Sequence, residues 1–591
     1  MPLIVQKFGG TSVADSEKIL SAARKAIRAH QQGNQVVMVV SAMGKNTDML
    51  VELARQICDD PPAREMDMLL STGEQVSVAL MAMAIHSLGY KAISLTGSQI
   101  GIRTDSTHTK ARIQTISSDR LKRLLDDGNI VIAAGFQGID ELGNITTLGR
   151  GGSDTTAVAL AAVLQADACE IYTDVDGVYT TDPRLLPEAR QLARVSYDEM
   201  LELASLGAGV MHSRSIEFGK KFHVPIIVRS SFSDVPGTLI GPRPEDPDRP
   251  VGGAAMTKFE ARVSIDGVPD RPGTTLALFS KLAAVNIAID MVVQNIGAQG
   301  KADISFTVLR DELTKVLKAV QEAADEMGAE RVTYDDDVSK VSVVGIGMAS
   351  QTGVADRMFR ALAESNINIL AITTSRIKVS VLVKRQHALE ALRAVHREFE
   401  LEKRPTARSS FGEASFQPAE PDPAAIVARL QAMEGLTIEG VQLDQSQARV
   451  TIDGVPDEPG VAANIFESIA AEEILVDMIV QGVGSDGRAS LSFTVKQDSL
   501  RQSLDVAGRL AQKTRCGGVS HAPKVAILSV LGIGMRSHTG VGIRMFQALA
   551  DAGINVDMIN TSEVRINVAV AAEKGEAALE AVKKAFADVM G

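Results

Sequence analysis

Cysteine is almost absent from this 591-residue chain, and basic residues are outnumbered. Cys58, Cys169 and Cys516 lie far apart with no CxxC spacing, so neither a zinc site nor a disulfide framework is supported, and a reducing compartment fits. Lys and Arg number 61 against 73 Asp and Glu, a net charge of −12. A nucleic-acid surface needs the opposite balance, so no nucleic-acid partner is expected, and any anionic ligand must be held by local donors. No run reaches about 18 strongly apolar residues, so no membrane contact is expected. The opening MPLIVQKFGG has no signal-peptide layout. A cytoplasmic protein is the expectation. Walker GxxxxGK[ST] and kinase HRD or DFG motifs are missing, and no cluster of metal ligands is visible.

What is present centres on Leu148–Thr156, LGRGGSDTT. Gly149, Gly151 and Gly152 let backbone N–H groups approach an anion, and Ser153 and Asp154 read as the N-cap region of a helix over Ala157–Gln165. Arg150 adds a planar cation suited to carboxylate or phosphate. A plain glycine turn with an ordinary cap is the alternative. Upstream, apolar runs at Leu3–Phe8, Gln35–Val40, Lys91–Leu95, Ile130–Ala134 and Cys169–Thr173 alternate with helical stretches at Asp15–His30 and Met68–Ser87. This is the pattern of a mainly parallel sheet covered by helices, with ligands at the carboxyl ends of strands. The polar, glycine-rich residues fall there, in four separate loops.

KFGGTSV at Lys7–Val13, VSAMG at Val40–Gly44, STGE at Ser71–Glu74, GRGGSD at Gly149–Asp154 and YTDVDGVYTTDPR at Tyr172–Arg184 together resemble the aspartate kinases of the amino acid kinase superfamily. The resemblance implies transfer of the γ-phosphoryl of ATP to the β-carboxylate of aspartate, a reaction that needs positioning and charge neutralisation more than covalent help. It implies that Lys7 is the transition-state cation, with Asp154 orienting it or a metal-bound water. ATP contacts would come from Lys7, Gly9, Gly10, Thr173, Asp174, Tyr179, Asp182 and Arg184. Aspartate would be held by Ser41, Thr47, Glu74, Arg150, Gly151 and Ser153, with Glu74 on the α-ammonium. Alternatively Glu74 is a first-turn glutamate favoured by the helix dipole. Magnesium is expected with ATP, mainly on its phosphates, with no dedicated protein ligands.

The proline-rich stretch Asp234–Val251 closes the first domain, and beyond it the chain repeats itself. RVSIDGVPD begins at Arg262 and returns as RVTIDGVPD at Arg449, 187 residues on, and GIGM begins at Gly345 and at Gly532 with the same offset. A constant offset over this length marks a duplication. Each copy holds two smaller units; Val354, Met358, Leu362 and their counterparts Val541, Met545, Leu549 form core stripes of amphipathic helices. The units fit a βαββαβ order and resemble ACT domains, four of them in two tandem pairs, as in the four-ACT type of aspartate kinase.

The expected fold is thus α/β: an amino-acid-kinase domain at 1–245, a linker at 246–258, ferredoxin-like ACT units at 259–337 and 338–402, a linker at 403–445, and units at 446–521 and 522–591. Effector positions implied by the resemblance and by the loop leading into a helix N-terminus are Asp270, Gly273, Asp290, Gln294 and Asn368, matched by Asp457, Gly460, Asp477, Gln481 and Asn555. Lysine and threonine are the family's usual effectors. Divergence at Asn366 against Gly553, and at 349–351 against 536–538, predicts pairs of different affinity or identity. Because ACT units pair edge to edge, often between chains, a homodimer or higher oligomer is expected. Two other readings compete: a kinase for another acid, such as glutamate or acetylglutamate, and a catalytically inactive amino-acid sensor. Glu74 disfavours an N-acylated substrate, which has no ammonium to pair with it.

Overall fold

The structure, a computed structural model, describes residues 1–207, 209–285, 287, 289–296, 301–405, 433–483, 488–535 and 540–590. Positions 536–538, part of the divergent loop, lie outside the described residues, as does most of the stretch between the two copies.

Apolar β-branched runs too short for helices form the first sheet, in the order Arg194–Ser196, Thr238–Gly241, Ile226–Ser230, Ala168–Thr173, Leu3–Phe8, Gln35–Val40, Ile130–Ala134, Ala92–Leu95. All neighbours are parallel except Ile226–Ser230 with Thr238–Gly241. The central strands are buried on both faces, which is why they read as continuous apolar runs rather than alternating ones. A four-stranded sheet (Ile113–Ile116, Ile102–Thr104, Gln137–Ile139, Ile145–Thr147) flanks it.

Two local readings shift. The helix expected over Met68–Ser87 starts at Ala63, so Glu74 sits mid-helix and is buried rather than in a first turn. The helix after the glycine loop runs Gly152–Leu164 with Gly151 as N-cap and no side-chain cap; Ser153 and Asp154 are inside its first turn. Helix Ala63–Ser87 is also long and apolar enough to cross a membrane by length and composition. Half of that window is buried, and the fully buried Asp67 lies on it, so it serves as a core helix of the kinase domain.

The C-terminal half forms one 12-stranded sheet: Asp290–Ile296, Lys301–Leu309, Gly253–Pro269, Arg331–Val344, Lys378–Lys384, Ala371–Thr374, Val476–Val483, Arg488–Lys496, Thr437–Pro456, Gly518–Ile533, Arg565–Ala571, Met558–Thr561. The stretches read as linkers each end in strand, since Gly253–Pro269 and Thr437–Pro456 begin inside them. These long strands serve two units at once. Residues 260–266 pair with 331–338 in the first unit, whereas 253–257 pair with 340–344 and supply the second unit's fourth strand. The fourth unit takes its last strand from 437–444 in the same way.

Pairing between units crosses the duplication. Ala371–Thr374 of unit 2 bonds to Val476–Val483 of unit 3, and Phe359 packs against Phe466 at 5.3 Å. Unit 1 packs on unit 4, with Phe279 and Phe546 stacked at 5.5 Å. The core stripes Val354, Met358, Leu362 and Val541, Met545, Leu549 are all buried. The unit 2–unit 3 edges are thus paired within one chain, while Asp290–Ile296 and Met558–Thr561 stand at the two ends of the sheet.

Candidate active site

A cavity of about 1320 Å³ opens at the carboxyl ends of the central strands. Lys7, Gly10, Ser41, Thr47, Glu74, Arg150, Gly151, Ser153 and Asp154 line it. Three of the four predicted loops therefore converge there. The fourth, Thr173–Asp174, follows the strand next to Leu3–Phe8, and Gly9 donates its N–H to the Tyr172 carbonyl, but neither residue reaches the cavity wall.

Close approach of backbones builds the floor. Gly44 N–H donates to the Gly10 carbonyl, and a Cβ on Gly10 would lie 2.7 Å from the Ala42 oxygen. Gly151 has φ +70°, and its Cβ would meet His212 at 2.3 Å. Any other residue at either position would push a loop away from the cavity.

Lys7 Nζ lies 2.5 Å from Asp154 Oδ1, both side chains nearly buried. Asp154 and Lys7 thus form an ion pair at the cavity. Glu74 Oε1 accepts the Ala42 N–H at 3.1 Å. Its other oxygen, Oε2, is buried with no hydrogen-bond partner among the described residues. Burial pushes the Glu74 carboxyl up from 4.5 to about 7, against the lowering effect of that N–H. A buried carboxylate oxygen without a donor is costly, and a ligand ammonium would satisfy it.

The stretch Tyr172–Arg184 has two environments. Asp182 and Arg184 form a bidentate pair, 2.8 Å at Nη2, and the arginine keeps the aspartate below the usual carboxylate range. Tyr179 bridges to Gln191. Thr180 contacts His396 at 3.0 Å, and Leu186 is buried in the core of units 2 and 3. The second half of the motif therefore docks the regulatory half as well.

Sequence reasoning missed several supports. Fully buried Asp67 accepts from His108 Nδ1 (2.7 Å), the Thr109 N–H (3.0 Å) and Thr147, fixing the cavity rim at Thr109, a non-glycine residue at φ +66°. Arg214 bonds the carbonyls of Leu148 and Ala111. No local pattern marks either residue, because every partner is distant in sequence. Among the described residues no group of three or more His, Cys, Asp or Glu is placed to hold a metal.

The amino acid kinase family profile matches residues 2–230, and an ACT domain profile matches 341–399, 450–507 and 528–586. The aspartate kinase Ask_LysC of Stutzerimonas stutzeri is 50% identical over 404 residues, covering 68% of this chain and 98% of its own. The chain belongs to the aspartate kinases. An aspartate kinase structure from Synechocystis is 40% identical, covers 99% of this chain and 98% of its own, and has a TM-score of 0.52. Aspartokinase III of E. coli, in complex with aspartate and ADP, shares the fold at 24% identity and TM-score 0.57, over 67% of this chain and 99% of its own.

Within this family's architecture the predicted effector residues divide. Asn555 donates to Asp270 Oδ1 and Asn368 to Asp457 Oδ1, each at 2.7 Å, equivalent contacts between units 4 and 1 and units 2 and 3. Gly273 and Gly460 are the N-caps of the adjoining helices. Gln294 accepts from Thr275 and donates to the Val556 carbonyl at 2.7 Å. Gln481 lines the same small space as Asn368, Asp457 and Gly460, about 10 Å³. Asp290 does not join Asp270: it is held by fully buried Lys340 at 2.6 Å and lines a different cavity of about 130 Å³ between units 1 and 4, with Phe279, Phe546 and Glu563. Asp477 is likewise apart from Asp457, with burial raising its carboxyl and Arg376 lowering it.

Proposed function

We infer that the chain transfers the γ-phosphoryl group of ATP to the β-carboxylate of L-aspartate, and that amino-acid end products regulate it through the ACT units. The observation that carries this is the unpartnered oxygen of Glu74, a residue lining the cavity that also holds the Lys7–Asp154 pair. That combination suits a substrate bearing an ammonium and an acceptor carboxylate. Glu74 and the ammonium form the charge pair; Arg150 takes a substrate carboxylate, with Ser41, Thr47, Gly151 and Ser153 as neutral donors. The β-carboxylate is already a nucleophile at neutral pH, so no base is required. Lys7, oriented by Asp154, neutralises charge developing between donor and acceptor oxygens. The N-terminus of helix Gly152–Leu164 offers N–H groups to the transferring phosphoryl.

Thr173, Asp174, Tyr179, Asp182 and Arg184, with Gly9 and Gly10, remain our assignment for the nucleotide. Magnesium would ride mainly on the phosphates and water, as its hydration preference favours. The test is ADP release with aspartate, glutamate or acetylglutamate as acceptor. Turnover with aspartate alone supports the reading; turnover with acetylglutamate removes the role of Glu74.

For effectors, the unit 1–unit 4 cavity sets Glu563, and Asp290 paired with Lys340, at the edge of an apolar wall. Lysine and threonine, the expected effectors, are assigned to the two Asn–Asp contacts with different affinity or identity at each. Placement in the cytoplasm is part of the same reading. A homodimer would use a surface outside the ACT units: Val76, Leu80 and Met83 on helix Ala63–Ser87 and Met49 and Leu53 on Asn46–Ile57 are exposed. Light scattering of wild type against Val76→Asp decides whether that face assembles.

A further inference from the structure

The segment that leads into the second regulatory copy does not lie free. Met433 is almost fully buried in the kinase-domain core, and its N–H donates to the Gln114 carbonyl, as that of Glu434 does to Ile113. Lys221 reaches the Gly435 carbonyl at 3.2 Å. Met433, Glu434 and Gly435 all line the catalytic cavity. The Glu434 carboxylate grips Arg214 Nη2 through both oxygens, at 2.8 and 2.6 Å, with both side chains largely buried. The same guanidinium donates to the carbonyls of Leu148 and Ala111. Leu148 opens the glycine loop that carries Arg150, and His212, two residues before Arg214, packs under Gly151.

We propose that Glu434 is a positioning residue for the phosphotransfer site: it fixes the Arg214 guanidinium, which in turn fixes the Leu148–Gly151 loop and hence Arg150. This rests on reading the cavity as the aspartate kinase site. A regulatory consequence follows from chain connectivity. Strand Thr437–Pro456 starts two residues after the Gly435 contact and ends beside Asp457, the partner of Asn368 across units 2 and 3. One continuous strand, with three register shifts along its pairing with Gly518–Ile533, therefore connects the Asn368–Asp457 contact to the loop clamp, and such an element carries coupling when both ends have two arrangements. Displacing the strand would loosen Glu434 from Arg214 without touching the nucleotide side.

The test uses the full chain. Glu434→Gln, which keeps shape and loses charge, should raise the KM for aspartate about tenfold with that for ATP nearly unchanged; Glu434→Ala should cost up to about a hundredfold in kcat/KM, the scale of an ångström-level misplacement. Arg214→Ala and the double variant should be strongly non-additive, because they break one clamp. Glu434→Asp should restore part of the loss. Unchanged aspartate KM in Glu434→Gln with a lowered unfolding midpoint would make the contact purely structural and overturn the proposal. So would equal effects on both substrates, or additive single losses. Wild-type enzyme that does not turn over aspartate would instead sink the functional reading on which the proposal stands.

Discussion

Glu74 gives the sharpest prediction, because its perturbation has a number. Burial moves its carboxyl from 4.5 to about 7 in the ligand-free protein, which corresponds to roughly 3 kcal/mol of disfavoured ionisation. The carboxyl is raised, so the cost is present above about pH 7 and is relieved as pH falls toward 4.5. The free enzyme is therefore stabilised by this group on acidification. Aspartate binding runs the other way. Only the ionised form pairs with the ammonium, so binding below pH 7 must expel a proton. Aspartate should bind about tenfold more weakly at pH 6 than at pH 8, with about 0.9 proton released at pH 6 and about 0.1 at pH 8. Neither the aspartate ammonium nor its carboxyls titrate in that window. Glu74→Gln should bind aspartate roughly ten- to hundredfold more weakly at pH 8 and show no pH slope, since a charge-assisted hydrogen bond is lost. Calorimetric titration of aspartate in two buffers of different ionisation heat reads both quantities. A flat profile in wild type, or a slope that survives in Glu74→Gln, would show that Glu74 does not meet the ammonium.

Three further outcomes are expected. Lys7→Ala should lower kcat by at least about a hundredfold while aspartate affinity changes little; a raised KM with kcat intact would make Lys7 a ground-state contact. Lys378 of unit 2 is fully buried on Glu202 of the kinase domain at 2.9 Å, and Glu202 also accepts the Glu563 N–H of unit 4. Lys378→Ala should destabilise the chain by about 3–5 kcal/mol by stranding that carboxylate, read as a lowered thermal midpoint; an unchanged midpoint would mean that the domains are not held together there. Finally, Asp270→Ala and Asp457→Ala should weaken different effectors in calorimetry, since Glu563 of unit 4 stands where Arg376 stands in unit 2. Identical losses for every effector would make the two contacts equivalent.

Much of this was written locally. Gln35–Val40 and Ile130–Ala134 form strands over the residues expected, because buried parallel strands are self-announcing apolar runs. The cavity loops were legible because backbone N–H groups and tight turns require glycine at fixed spacing. The unbroken 187-residue offset carried the equivalence of Asn368–Asp457 with Asn555–Asp270, since duplicated sequence rebuilds duplicated contacts. Boundaries read from proline failed where the next strand began early: Pro250 suggested linker, yet Gly253 already pairs with Val344.

Tertiary structure alone decided which edges meet. Units 1 to 4 carry similar edge strands and similar helix faces, so no sequence feature prefers 1 with 4 and 2 with 3 over pairing within each copy. Chain path and the packing of both copies on one kinase domain make that choice. The same holds for Asp67, Arg214, Glu202, Lys378 and Glu434. Each is an ordinary charged residue until the fold removes water around it, and only then does its distant partner determine its worth.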